Sequence, residues 1–239
     1  SAMSQKYLGE VFDIHTGGID LIPTHHENEI AQSKGMCGKI PANYWMHGEF
    51  LLINGGKMSK SLGNVYLLQD IVDRGYDPLV YKLFCYSIQY RKKLNFTWEG
   101  MDSAKIALDR LREAYQKHLT GTEDVAEELI SKYEKDFNEA INDDLNMPVA
   151  MSVVWEVAKR TEKSKKVAEL LKKFDRVLGI KIDEHKEEEI PDDIKELLTK
   201  RVEARKNKDW AESDKIRDII KEKGYIVKDS KEGQTVEKC

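Results

Sequence analysis

The sequence predicts an α/β front segment followed by an α-helical bundle and a small C-terminal module, α-rich taken together. Residues 11–22 mix β-branched residues with alternating polarity around the pair Gly17-Gly18, which reads as a strand, a glycine turn, and then a second strand or the approach to a helix. From Glu99 to about Leu178 apolar positions such as Ile106, Leu108, Leu111 and Tyr115 recur at three- and four-residue spacing, the period of an amphipathic helix. An acidic run over 183–189, ended by Pro191, then separates this stretch from the tail.

Taken in order, the first helix is expected from Thr24. A threonine followed three residues later by Glu27 fits a capping box, in which hydroxyl and carboxylate each satisfy an early backbone N–H. That helix should run to about Ser33, with Gly35 and Gly38 marking its end. A strand hairpin is expected around His47–Ile53, broken by Asn54-Gly55-Gly56. Beyond Asn64 strand signals fade. Two short helices are expected in 66–90, the second after Asp77-Pro78. Asp143-Asp144-Leu145-Asn146-Met147-Pro148 interrupts the long helical run, with Asn146 as N-cap and Pro148 in the next first turn. One or two helices over 192–223 and a strand-like tail from Gly224 complete the chain.

Composition narrows the class. Of 239 residues, 40% are hydrophobic and 34% charged, and no apolar run approaches the eighteen or so residues of a membrane helix. The first residues lack the pattern of a signal peptide. Three scattered cysteines, Cys37, Cys85 and Cys239, argue against a disulfide framework and for the cytoplasm. A net charge of −4 leaves any nucleic-acid contact to a local basic patch.

Two clusters carry chemistry. Lys57-Met58-Ser59-Lys60-Ser61 follows Gly55-Gly56 and precedes Leu62-Gly63-Asn64. Two lysines three apart on a glycine-loosened loop can neutralise charge developing on a polyphosphate, and the serines add hydroxyl donors. The plainer alternative is a solvated basic turn. His25-His26-Glu27-Asn28-Glu29 is the second cluster, in which His25 and Glu29 stand four apart and project from one helix face. Imidazole and carboxylate are both zinc donors, but two ligands do not close a site of four. On the residues alone, a polar helix start facing solvent is equally open.

The loop Lys57–Ser61 resembles the signature loop of class I aminoacyl-tRNA synthetases. His15-Thr16-Gly17-Gly18-Ile19-Asp20-Leu21 and His25 to Ser33 resemble the cysteinyl-tRNA synthetases. The resemblance implies the second half of a Rossmann-type catalytic domain with the zinc helix and loop in 1–64 and a stem-contact segment in 65–98. It further implies a tRNA-binding helical bundle in 99–180 and an anticodon-side module in 190–239. It implies ligation of L-cysteine to tRNA(Cys) through a cysteinyl adenylate, with ATP and Mg2+ as the nucleotide substrate. Lys60 and Lys57 would act in catalysis, with Ser59, on the phosphates; Gly17, Gly18 and Asp20 would shape the adenosine side; and His15 would lie near the substrate thiol. His25 and Glu29 would be two Zn2+ ligands, the family's two cysteine ligands being outside this chain.

By the same resemblance the chain is expected to be a portion of a longer cytoplasmic enzyme, acting as a monomer without membrane contact. Residues 200–208, with five basic residues and one acid, and Trp210 just beyond, are expected to form an RNA-facing surface. The rivals are a tRNA-binding piece without catalysis and a ligase joining cysteine to an amino sugar; the latter has no need of a basic C-terminal module.

Overall fold

The computed structural model describes residues 1–184, 191–207, 209–230 and 233–238. The chain divides into two compact units, Ser1–His185 and Lys186–Cys239. Most of the acidic run, together with Lys208 and Cys239, lies outside the described residues.

The first unit opens with a short helix, α1 (Ala2–Leu8), and a βαβ arrangement: β1 (Phe12–Gly18), α2 (Glu27–Cys37) and β2 (Ala42–Gly48). β1 and β2 are parallel, in register from Phe12 opposite Ala42 to Gly18 opposite Gly48. Parallel neighbours need a crossover, and α2 supplies it. Between β1 and α2 the chain turns through a 3-10 turn (Ile19–Leu21) and a π-type turn (Ile22–His26) that runs directly into α2.

This differs from the expected start at Thr24. Pro23 sits in the first turn, where its missing N–H leaves nothing unsatisfied, so Thr24 lies inside the helical stretch and makes no side-chain cap. The helix also passes Gly35 and stops at Gly38, whose φ of 75° supplies the left-handed C-cap.

β3 (Leu51–Ile53) and β4 (Gly56–Lys57) form the hairpin, turning through Asn54 and Gly55, both at positive φ. His47 belongs instead to β2, paired with Gly17. A strand not anticipated, β5 (Leu94–Phe96), pairs in parallel with β3. Three residues are too few to show a period, and the partner lies some forty positions upstream.

α3 (Leu68–Asp73) and α4 (Pro78–Cys85) are the two short helices expected, α4 capped by Asp77 accepting from the Leu79 N–H at 2.9 Å. The bundle is α5 (Trp98–Leu119), α6 (Glu127–Asn142), α7 (Met147–Ala158) and α8 (Lys165–Leu178). Its core joins Met101, Leu108 and Leu111 to Val154, Leu171 and Leu178, with Phe137 stacked on Phe174 at 4.1 Å. Ile106, expected on the core face, is 52% exposed: the buried stripe runs through Met101, Ala104, Leu108, Leu111 and Tyr115, and position 106 falls off it.

Asn146 is the N-cap of α7 as expected, but its amide donates to Asp143 rather than capping the helix with its oxygen. Two ties fix α4 to the end of α8: Tyr86 Oη donates to Leu178 O at 2.7 Å and Lys82 Nζ to Gly179 O at 3.1 Å.

The second unit is α9 (Asp192–Lys206), α10 (Trp210–Glu222) and an antiparallel pair, β6 (Tyr225–Ser230) and β7 (Gly233–Lys238). Among the described residues, Ile194, Ala204, Ile216 and Ile220 are its buried apolar residues. No helix of the described residues is long and apolar enough to cross a membrane.

Candidate active site

β1, β2 and α2 bring a histidine cluster to one side of the βαβ arrangement. His15 projects from β1, His47 from β2, and His25 and His26 from the turn leading into α2. His15 Nε2 lies 2.6 Å from Glu29 Oε2, and His25 Nε2 lies 3.8 Å from Glu29 Oε1. The two carboxylate oxygens are thus addressed by different imidazoles. His26 Nδ1 meets His47 Nε2 at 2.8 Å, and Trp45 packs against both His15 and His26 with ring centres 4.7 and 5.0 Å away.

The electrostatics follow from this crowding. Burial pushes the Glu29 carboxyl up, but the hydrogen bond from His15 and the nearby charges of His15 and His25 outweigh it and hold it below its ordinary value. Burial, with the neighbouring His15 and His47, lowers the pKa of His26.

Donor atoms of His15, His26 and Glu29 lie within 4.8 Å of one another, a set of two imidazoles and one carboxylate that fits the chemistry of zinc. Glu29, singled out from the sequence, is one of the three. His25 is exposed and on the far oxygen of Glu29, while His26, which the sequence did not single out, is 3% exposed and belongs to the cluster. The four-residue spacing favoured His25 over His26, yet a three-residue spacing reaches the same helix face.

Gly17 and Gly18 stand where a side chain would meet close neighbours. A Cβ on Gly17 would stand 2.7 Å from His26 Cε1 and 2.9 Å from Leu21 Cδ1, so the bare backbone makes room for the His26 ring. A Cβ on Gly18 would run into the Asp20 carboxylate. The carboxyl ends of β1 and β2 open on a cavity of about 510 Å³ lined by Thr16, Gly17, Met46, Gly48, Tyr81 and Leu145. Open α/β sheets bind ligands at such strand ends.

The lysine loop follows β3. Lys57 is in β4, Met58 packs against the core, and Lys60 begins a 3-10 turn (Lys60–Leu62) closed by Gly63 at φ 63°. Both lysines are exposed, and neither has an ion-pair partner among the described residues. Ser59 Oγ lies 2.7 Å from Ser61 Oγ, and the Gly55 N–H donates to Asn95 Oδ1 at 2.6 Å.

The basic stretch of the second unit is only partly a surface. Arg201 is 1% exposed and donates to Gln234 Oε1 at 2.6 Å, so it is a core residue and not an RNA-facing one. Lys200, Lys206 and Trp210 are exposed.

Comparisons with known proteins agree with this layout. Residues 1–106 match the family described as tRNA synthetases class I (C) catalytic domain, residues 136–183 the DALR domain, and residues 187–236 the cysteinyl-tRNA ligase anticodon binding domain. The Cysteine–tRNA ligase 1 of Burkholderia lata is 42% identical over 98% of this chain and 49% of its own length. The Cysteine–tRNA ligase of Protochlamydia amoebophila is 38% identical over 100% of this chain and 53% of its own length.

Among solved structures, the ternary complex of Agrobacterium radiobacter K84 agnB2 LeuRS, tRNA and LeuAMS superposes with a TM-score of 0.55 at 16% identity, covering 70% of this chain and 26% of that one, which speaks for the fold. The parallel strand pair with its crossover helix, the lysine loop and the helical bundle define the class as that of the class I aminoacyl-tRNA synthetases. Within that class the chain belongs to the cysteine–tRNA ligase family. It spans about half the length of the curated relatives it matches.

Proposed function

We propose that this chain serves in ATP-dependent ligation of L-cysteine to tRNA(Cys) through a cysteinyl adenylate. The observation that carries the reading is the divided use of Glu29, one oxygen on His15 at 2.6 Å and the other facing His25 at 3.8 Å. Such a carboxylate is oriented before any ligand arrives. It supports a metal site built from His25 and Glu29, with His15 and His26 beside it and the two cysteine donors implied by the family outside this chain.

Zinc held there would bind a thiolate and so separate cysteine from serine, whose hydroxyl is a poor ligand for a soft metal. His15 fixes the carboxylate, and the His26–His47 pair backs it from the β2 side.

In the first step the cysteine carboxylate attacks the α-phosphorus of ATP, bound with Mg2+, and pyrophosphate leaves. Lys60 and Lys57, exposed on their loop with Ser59 between them, stabilise the charge that collects on the departing phosphates. Gly17, Gly18 and Asp20 lie at the carboxyl end of β1, where the adenosine would sit beside the cavity. In the second step a hydroxyl of the terminal ribose of the tRNA attacks the cysteinyl carbonyl and AMP leaves.

The bundle and the second unit bind the tRNA, with Lys200, Lys206 and Trp210 as the exposed cations and aromatic. A cytoplasmic monomer fits the reading. The match of residues 187–236 to an anticodon-binding family argues against an amino-sugar ligase.

The test is ATP–pyrophosphate exchange by the full-length protein, with zinc content measured on the same sample. Exchange should require cysteine, ignore serine, and accompany about one zinc per chain. Equal stimulation by serine, or none by cysteine, would overturn the proposal.

A further inference from the structure

Both lysines of the loop are exposed, and loops of this kind are free to point their side chains anywhere unless something holds the backbone. One residue beyond the motif does hold it. The Ser59 N–H donates to Asn64 Oδ1 at 2.8 Å, and Asn64 Nδ2 donates to Lys57 O at 3.0 Å. Asn64 is half-buried, and the left-handed turn at Gly63 brings it back across the loop.

Its amide orientation is fixed by chemistry, because the flipped amide would set donor against donor and acceptor against acceptor. A single carboxamide therefore ties the strand residue Lys57 to the turn that carries Lys60. Lys57 is already paired with Leu52 in the hairpin, so the tie refers Lys60 to the sheet. Met58, between them, is packed on the core.

We infer that Asn64 is a positioning residue for the phosphate step: its carboxamide closes the Lys57–Lys60 loop and holds the two ammonium groups at the spacing the polyphosphate requires. It touches no substrate itself, and the inference rests on the reading of this loop as the phosphate-handling one.

The test has two arms. Hydrogen exchange at the Ser59 amide should be slow in wild type and about tenfold faster in Asn64→Ala, the scale of one lost hydrogen bond. Asn64→Asp keeps the acceptor and should retain that protection. Limited trypsin digestion should likewise cut Asn64→Ala faster after Lys57 and Lys60, with cleavage in the second unit unchanged.

In ATP–pyrophosphate exchange by the full-length protein, Asn64→Ala should lower kcat about tenfold to thirtyfold with the KM for cysteine unaltered, and Asn64→Asp should recover part of the loss. Unchanged Ser59 protection in Asn64→Ala overturns the clamp, and lost protection with normal exchange activity overturns its role in the reaction. A wild type without cysteine-dependent exchange sinks the functional reading alone, and the Ser59 amide still decides whether the clamp exists.

Discussion

Arg91 Nε lies 2.5 Å from Asp144 Oδ2, which joins the segment after the lysine loop to the turn between α6 and α7. The Tyr90 hydroxyl donates to the other carboxylate oxygen at 2.6 Å, and Gln89 Nε2 reaches the same residue. Asp144 itself sits at φ 50°, so the tight turn holds its carboxylate toward three donors at once. Hydrogen bonds from Arg91 and Tyr90 hold its pKa below the usual 3.8.

A carboxylate shifted this way contributes stability that is present above its unfolded pKa and disappears as pH falls through the folded one. Asp144→Ala and Arg91→Ala should each lower the urea midpoint at pH 7, and the double variant should fall little below the worse single. At a pH well under 3.8 the coupling should vanish. Additive losses at pH 7 in the double-mutant cycle would show that the pair is not coupled.

His118 gives a pH dependence of its own. It is fully buried, its Nε2–H donates to Ala158 O at 3.1 Å, and its Nδ1 accepts the Ser164 N–H at 3.4 Å. That pattern belongs to the neutral ring, since a second ring proton would face an N–H donor. Burial is the main cause lowering its pKa from 6.5. The unfolded chain then binds the proton more readily, so the contribution is complete above pH 6.5 and is lost as pH falls toward the folded pKa. Stability from urea unfolding should drop between pH 7 and pH 5 in wild type and drop less in His118→Gln.

Phe137 and Phe174, stacked with planes 15° apart and both 2% exposed, anchor the bundle. Phe137→Ala should cost about 3–5 kcal/mol, the range for truncating a core aromatic, as measured by urea denaturation. Ile106→Ala, at an exposed position on the same bundle, should change stability by about 0.5 kcal/mol or less.

Gly17→Ala tests the packing of the histidine cluster. The added methyl would press on the His26 ring and should break its bond to His47. Imidazole nitrogen shifts of His26 and His47 should move together while those of His118, in the bundle, stay put. Overpacking of this kind costs about 1–3 kcal/mol.

Lys60→Ala should lower kcat for ATP–pyrophosphate exchange in the full-length protein by about a hundredfold to a thousandfold, the effect of removing one group that stabilises developing charge. Zinc content should be unaltered. A loss confined to KM would mean that Lys60 serves ground-state binding alone.

The sequence by itself determined the local features of this protein. Pro78 after Asp77 starts α4, Gly38 stops α2, Asn54-Gly55 turns the hairpin, and the spacing of Leu108, Leu111 and Tyr115 marks the buried stripe of α5. Each depends on neighbours within one or two turns, and backbone sterics and helical period act over that range.

What required the tertiary structure was every partnership between distant positions. β5 is a strand because β3 offers it a free edge. Arg201 belongs to the core because Gln234 meets its guanidinium there, although its sequence surroundings read as a basic surface. His26 joins His15 and Glu29, and Gly17 makes room for its ring, because β1, β2 and the turn into α2 converge. Sequence spacing fixes which side chains share a helix face, but only packing of separate elements decides which faces meet.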